Sequence, residues 1–354
     1  MAGGGRLLTS LSDHYAASIG VKRKIPKAMR AWTVEAITDP PTLRLAKVDV
    51  PKPAPGQYLV KTEAAGLAFG DTLIVRGRYQ TKPPLPFIPG SELVGTIVDN
   101  CGSGLPIGSR ICSSAHLGAY AEYALVPQGE PIAIDAAIPA GAALALRSNY
   151  PTALYSLREC AQLAPGETLL VHAGAGGVGA AAVQLGKLLR ARVIATAGSP
   201  EKVQFCRDLG ADAAIDYTAS DWVSEVRRLA PDGVDVIFDP VGGEVGAQSL
   251  RCLSYGARYL VIGFANGTLT QLPANRLLLH NAVAIGVLWG EVRKRDRDLA
   301  MQLPHEVFDW CRTGRLQLPK YCEYPFEQAP QALQALEGRA TVGKAMLRIA
   351  APGP

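Results

Sequence analysis

Three glycines, at residues 174, 176 and 179 of the stretch "LLVHAGAGGVGAAAVQLGKLL" (169–189), have the spacing G-x-G-x-x-G. An apolar run ends at His172, and beyond the glycines the apolar spacing becomes that of a helix, so the triplet falls between an expected strand and an expected helix. There the first glycine permits a sharp turn, the second lets the backbone approach a pyrophosphate, and the third allows close helix-to-strand packing. Free N–H groups and a partial positive charge at the helix start suit phosphate. A glycine-rich corner of any α/β fold shares the spacing, and the strand–helix rhythm around it favours the phosphate reading.

The next expected strand ends in Ala197-Gly198-Ser199-Pro200, without the acid that would accept from the ribose hydroxyls in an NAD site. Ser199 and Lys202 at a helix start suit an adenosine 2′-phosphate, so NADPH is the expected dinucleotide; a solvated surface lysine is the ordinary alternative for Lys202. Glu201, early in that helix, is read as a dipole partner. No Ser-His-Asp order, carboxylate pair or G-x-S-x-G motif points to acid–base or nucleophilic chemistry, and no catalytic residue is assigned. Seven scattered cysteines without a Cys-x-x-Cys pair read as reduced thiols in a cytoplasmic setting.

The elements that position the glycines fall into two rhythms. From Met29 to about Tyr150, short runs ("AWTVEAI", "LRLAKVDV", "YLVKTEAAG", "LVGTIV", "SRICSS", "AEYALVP") alternate with Pro and Gly clusters, as in an all-β barrel-like unit. From about Pro151, the runs at 168–173, 192–197, 212–216, 234–239 and 258–263 alternate with helical spacing, which implies a parallel sheet covered on both faces. Ser199 with Pro200 starts one helix and Gly210 closes it; Ser220 is the expected cap of the next, with Pro231 and Gly233 as its stop. A strand is expected in "AVAIGVLWG" (282–290), then a long amphipathic stretch over 293–313, the segment "EQAPQALQALEG" and a final strand "KAMLRIA", as a return to the first unit. The expected division is an N-terminal extension (1–28), a catalytic unit (29–150), a dinucleotide unit (151–290) and a C-terminal return (291–354). For residues 1–28, a targeting segment or residues upstream of a start at Met29 stay open.

At 354 residues, two domains are the expectation, and 48% apolar with 19% charged residues is a globular composition. A net charge of +5 spread along the chain gives no basic stripe, so nucleic acid is not expected as a partner. No uninterrupted apolar run is long enough to span a bilayer.

The segments "GDTLIVRGRY" (70–79), "LPFIPGSELVGTI" (85–97), "NYPTALYSL" (149–157), "LAPGETLLVHAGAGGVGAAAVQLGK" (163–187), "SPEK" (199–202), "LGADAAIDY" (209–217), "FDPVGG" (238–243) and "RATVGKAMLRI" (339–349) resemble the medium-chain dehydrogenases and reductases, specifically the zinc-free quinone oxidoreductase (zeta-crystallin-like) branch. The resemblance covers roughly residues 29 to 350. It implies an α/β protein with a GroES-like β-barrel catalytic domain, a Rossmann doubly wound parallel sheet, and NADPH between them. Carried over by motif, it implies Ala175, Gly176, Gly177 and Val178 along the pyrophosphate, and Gly198, Ser199, Lys202 and Tyr217 around the 2′-phosphorylated adenosine. Gly263, Phe264 and Val241 would flank the ribose and nicotinamide, with Thr152 and Lys344 as further contacts. Tyr217 as a cover of the sheet edge, and Phe264 and Val241 as simple packing, remain open.

The zinc enzymes of this superfamily hold catalytic metal with Cys, His and Cys, ligands that zinc requires at converging positions. Here "GLAFGD" (66–71) has no Cys, Ser91 stands where those enzymes carry His, and no close Cys quartet exists, so no metal is expected; His116, His172 and His280 read as core or surface histidines. Relatives often carry an Asn and a Tyr near the nicotinamide in a pattern like G-V-N-x-x-D-x-Y. Ala68 and Leu73 replace both, giving a more apolar substrate pocket around Leu73 to which Tyr79 or Tyr150 would restore a hydroxyl. The expected activity is hydride transfer from NADPH to a quinone. Reduction of an enone or alkenal double bond, or a non-catalytic crystallin-like or RNA-binding role, are the alternatives. A homodimer through the apolar strand at 282–290 is expected.

Overall fold

The computed structural model describes residues 25–114, 117–219 and 221–350. Nearly all of the expected extension, His116 and the expected cap Ser220 lie outside the described residues.

Along the chain come β1 (Ala28–Thr33), β2 (Arg44–Asp49), β3 (Gln57–Leu67), α1 (Phe69–Ile74), β4 (Glu92–Asp99), β5 (Arg110–Ser114), β6 (Tyr123–Pro127) and β7 (Ile132–Ala133). Helix α2 (Ala140–Leu154) runs on into a π-helical turn at Tyr155–Cys160. An alternating series follows: β8 (Thr168–Val171), α3 (Gly177–Leu188), β9 (Arg192–Ala197), α4 (Pro200–Asp208), β10 (Ala213–Asp216), α5 (Trp222–Leu229), β11 (Val234–Asp239), α6 (Gly243–Ser249), β12 (Leu253–Val261), α7 (Ala274–His280) and β13 (Val283–Gly286). The chain closes with α8 (Trp289–Arg295), α9 (Arg297–Arg312), β14 (Tyr321–Pro325), α10 (Ala329–Glu337) and β15 (Lys344–Arg348).

The second series builds a six-stranded sheet in the order β10-β9-β8-β11-β12-β13, every neighbouring pair parallel. Helices cover both faces, so β8 and β11 are buried on both sides, and Leu169, Leu170, Val171, Val236, Ile237 and Phe238 form unbroken apolar runs instead of an alternation. Strand order reverses between β8 and β11. The turns leaving these strands therefore diverge and open a crevice at the sheet's carboxyl edge, where ligands bind in open α/β sheets.

The other large sheet runs β14-β15-β3-β4-β5-β7, with β6 also on β3, and β1 and β2 make a separate antiparallel pair. Strand β15 pairs antiparallel with β3, Ala345 opposite Leu67, so the last strands join the sheet begun by the first. Strand β4 pairs with β3 on its other side, Glu92 opposite Gly66. These registers set Glu92 opposite Gly66 and Lys344 two residues before Met346, Gly66's partner on β15, and the Lys344 side chain reaches back over Gly66 to Glu92.

Several elements differ from the sequence expectation for physical reasons. Helix α2 contains Pro151, so the change of rhythm at 150/151 falls inside a helix. It is buried on nearly every side, Ala142, Ala143, Leu144 and Leu146 completely, and therefore shows no amphipathic period. Strand β13 ends at Gly286, and the amphipathic stretch falls in two helices, broken at Asp296, whose carboxylate accepts from the N–H of Leu299 at 2.9 Å and caps α9. Asp221, one residue past Ser220, caps α5 through the N–H of Ser224. No membrane-length apolar helix occurs among the described residues.

Candidate active site

Between the two sheets lies a cavity of about 800 Å³. Its middle is the glycine turn. Ala173 adopts a left-handed conformation (φ 50°), Gly174 donates to the carbonyl of Thr196 at 2.9 Å, and α3 begins at Gly177 with no side chain capping its first turn. The three glycines have distinct jobs. A Cβ at Gly174 would sit 2.9 Å from Ala195 Cβ and Cys206 Sγ, one at Gly179 would overlap the carbonyl of Ala173, and one at Gly176 would meet only the Ala173 carbonyl, at 3.3 Å. Gly174 and Gly179 thus allow close packing, while Gly176 leaves the wall open toward the cavity. The uncapped N–H groups of the helix start face a space with room for a ligand.

At one end, Gly198, Lys202 and Tyr217 lie on the wall with Arg339. The Lys202 ammonium donates to the carbonyl of Arg339, and burial, then the neighbouring guanidinium, hold the lysine below its usual pKa. Neither cation pairs with a carboxylate among the described residues. Ser199 is not on the wall: its hydroxyl accepts from the N–H of Lys202 at 3.3 Å and caps α4. The chain from Arg339 to Lys344 then crosses the turn, Gly343 donating to the carbonyl of Ala175 at 2.8 Å.

The wall opposite is built by the loop after β11. Asp239, buried at 1% exposure, accepts from the N–H groups of Val241 at 2.8 Å and Gly242 at 3.0 Å and from the Tyr259 hydroxyl, so Val241 faces the cavity beside Gly263 and Phe264. Beneath the turn, Ser249 Oγ donates to the carbonyl of Val245 at 2.6 Å, which leaves its oxygen to accept from His172 Nε2–H at 2.8 Å, while Nδ1 takes the Thr196 hydroxyl at 2.9 Å. Burial depresses the pKa of this imidazole, a neutral, satisfied core histidine at the cavity floor. His280 meets the carbonyl of Arg276 on α7.

The other end is lined by Leu67, Ala68, Leu73 and Tyr79, and by Glu92, Ser148, Asn149 and Lys344. Lys344 Nζ donates to the carbonyl of Leu67 at 3.1 Å and forms a buried ion pair with Glu92 Oε2 at 2.5 Å; Ser148 donates to Glu92 Oε1 at 2.5 Å. The loop carrying Ala68 is fixed from behind by Asp71, which accepts from Ala68 N–H at 2.8 Å and Tyr120 hydroxyl at 3.0 Å. Burial pushes the Asp71 carboxyl up to about 6.

Of the residues expected at the site, Ala175, Gly176, Gly177, Val178, Gly198, Lys202, Tyr217, Val241, Gly263, Phe264, Lys344, Leu73 and Tyr79 line one cavity. Three do not. Thr152 donates to the carbonyl of Ser148 one helical turn back at 2.9 Å, Ser199 is spent on its cap, and Tyr150 is 2% exposed with its hydroxyl on Gln184 of α3. Tyr150 belongs to the α2–α3 contact and lends the pocket no hydroxyl. Arg339, Glu92, Ser148 and Asn149 went unrecognised in the sequence. Arg339 lies within the quoted "RATVGKAMLRI" but drew no role there, and the others carry no local signal. Among the described residues no three His, Cys, Asp or Glu side chains converge as metal ligands, and Ala68 and Ser91 offer zinc neither thiolate nor imidazole.

A barrel-type sheet completed by the C-terminal strands, beside a parallel sheet with a glycine turn in the shared cleft, defines a two-domain oxidoreductase of the alcohol dehydrogenase type. Family models agree: residues 54–136 match the alcohol dehydrogenase GroES-like domain and residues 177–304 the domain described as zinc-binding dehydrogenase. The quinone oxidoreductase-like protein 2 of Bos taurus is 33% identical over 305 residues, covering 84% of this chain and 87% of its own. Among solved structures, the quinone oxidoreductase of Thermus thermophilus, also determined in complex with NADPH, is 30% identical with a TM-score of 0.78, covering 91% of this chain and 100% of its own. That of Pseudomonas syringae pv. tomato is 28% identical with a TM-score of 0.84 over 91% of this chain and 100% of its own. The chain belongs to the quinone oxidoreductase branch of the medium-chain dehydrogenase/reductase superfamily.

Proposed function

We propose that the protein is an NADPH-dependent quinone oxidoreductase working without a metal. The observation that carries this reading is the pair Lys202 and Arg339, without a carboxylate partner among the described residues, at the end of a cavity whose middle is an uncapped helix start. Two such cations suit a 2′-phosphate, and the helix start suits a pyrophosphate. Ala175, Gly176, Gly177 and Val178 run along the pyrophosphate; Gly198, Lys202, Tyr217 and Arg339 surround the phosphorylated adenosine, with Ser199 holding α4 in place. Val241, Gly263 and Phe264 flank the nicotinamide side, and Thr152 steadies the carbonyl of Ser148. The division near residues 150 and 290 separates the acceptor side from the nucleotide side.

When bound, the reduced nicotinamide supplies the hydride. A quinone accepts it because the resulting charge spreads onto oxygen, so the protein's task is orientation and exclusion of water. Leu67, Ala68, Leu73 and Tyr79 make an apolar slot for a flat acceptor. Steady-state rates with NADPH and NADH, each against 9,10-phenanthrenequinone and a simple alkenal, test the reading. It expects NADPH and the quinone to be preferred; preference for the alkenal would make the protein a double-bond reductase. NADPH fluorescence enhancement with no consumption would make it a binding protein.

We further propose a homodimer closed along β13, whose surroundings expose Leu278 (81%), Leu279 (69%) and Val283 (50%) at the sheet's last strand. Sedimentation of a monomer at micromolar concentration would refute it. Seven cysteines without a disulfide suit a cytoplasmic location.

A further inference from the structure

The acceptor end of the cavity contains two polar groups whose hydrogen-bonding capacity is unspent. Lys344 is 3% exposed and Glu92 is 6% exposed, yet both line the cavity. An ammonium carries three N–H donors. The carbonyl of Leu67 takes one at 3.1 Å, and the Glu92 carboxylate lies against the ammonium at 2.5 Å, so at least one donor has no partner among the described residues. On the carboxylate, Oε1 accepts from Ser148 and Oε2 lies against the ammonium, and each oxygen keeps a further lone pair toward the cavity. Leaving such groups unmade is costly, and a ligand that completes them recovers that free energy.

A donor and an acceptor side by side match one oxygen in both of its oxidation levels: a carbonyl accepts from the ammonium, and a hydroxyl donates to the carboxylate. The pair sits at the strand β4–β3–β15 side of the cavity, beside Ala68 and Leu67, while the uncapped start of α3 and the Lys202–Arg339 pair lie along the nucleotide side. Room for the pair comes from Gly66, where a Cβ would come 3.0 Å from Lys344 Cε and closer still to Glu92. The other ionisable groups in the field of Lys344 are Asp71 on α1, Cys112 on β5 and Cys322 on β14.

We propose that Lys344 and Glu92 form the oxygen site of the acceptor: Lys344 donates to the carbonyl oxygen of the bound quinone and Glu92 accepts from the hydroxyl of the reduced product. This moves Lys344 from the cofactor to the acceptor, and it rests on the quinone reading above. As hydride arrives from the reduced nicotinamide the charge on that oxygen grows, so the ammonium stabilises the reacting state more than the ground state, and a proton from solvent completes the hydroxyl.

The test compares binding of 9,10-phenanthrenequinone with that of phenanthrene, which has the same rings and no oxygen, by quenching of tryptophan fluorescence with no cofactor present. The wild-type protein is expected to prefer the quinone at least about tenfold, and Lys344→Met to lose that preference while keeping its affinity for phenanthrene. Because Lys344→Met leaves Glu92 buried without its cation, the neutral pair Glu92→Gln/Lys344→Met is measured alongside with the same expectation. With NADPH, kcat/KM for the quinone should fall about 100-fold in both variants, with NADPH affinity unchanged. A wild-type protein without oxygen preference, variants that keep it, or variants whose NADPH affinity falls in step with their activity would each overturn the assignment. Failure of the wild-type protein to bind NADPH at all would instead overturn the quinone reductase reading, and the cofactor-free comparison separates the two.

Discussion

The two ends of the cleft are built from different materials. The nucleotide end is mostly backbone: a turn of glycines, an uncapped helix start, and two cations within reach of it. The acceptor end is side chains from segments far apart in the chain, Glu92, Ser148 and Lys344, brought together by the registers of β3 with β4 and β15 and by α2. Backbone sites need small residues at fixed local spacing and so leave a contiguous signature. Side-chain sites depend on the fold being complete, and can change residue by residue without disturbing it.

If the nucleotide end is a backbone device, a single methyl group should break it. Gly179→Ala drives a Cβ into the carbonyl of Ala173, so the turn must shift. NADPH binding measured by fluorescence should be lost and stability should drop by about 3 kcal/mol in denaturant unfolding. Unchanged affinity would mean that the turn does not hold the phosphates.

A comparable energy should appear at the acceptor end as a pH effect. Asp71 ionises in the folded protein at about 6, above its ordinary 3.8, so the fold prefers the protonated carboxyl. That stability is fully present below the unfolded pKa and is lost as pH rises through about 6. Relative to Asp71→Asn, which cannot ionise, the wild-type protein should lose about 2 kcal/mol between pH 4 and pH 7.5. Parallel stability curves for the two proteins would show that Asp71 is not desolvated.

The contrast between the ends sharpens with Lys202→Met. The loss of a charged hydrogen bond to phosphate should weaken NADPH by about 30-fold and leave NADH unchanged. Equal weakening of both would make Lys202 a structural residue tied only to Arg339. The smallest effect belongs to Tyr150→Phe, which strands Gln184 inside the α2–α3 contact. It should cost about 1 kcal/mol of stability with quinone kinetics within twofold of wild type.

The same contrast explains what could be read from the sequence. Strands β9 and β11 and the capped start of α4 were legible because their signals are local: apolar runs between turn residues, and Ser199 before Pro200. Helix α2 was not, because it is buried all round and has no polar face to set a period. Tyr150 was misplaced because the sequence of a helix buried all round does not say which side a residue takes, and its hydroxyl reaches Gln184 on α3. Glu92 drew no reading in the sequence and Lys344 read as a cofactor lysine; only strand register makes them one unit.

In the function proposed above, Lys202 and Arg339 select a 2′-phosphorylated dinucleotide. Fluorescence titration of the purified protein with NADPH and with NADH decides whether they do. NADPH should bind at least about tenfold tighter than NADH; equal affinities, or none for either, would refute the selection.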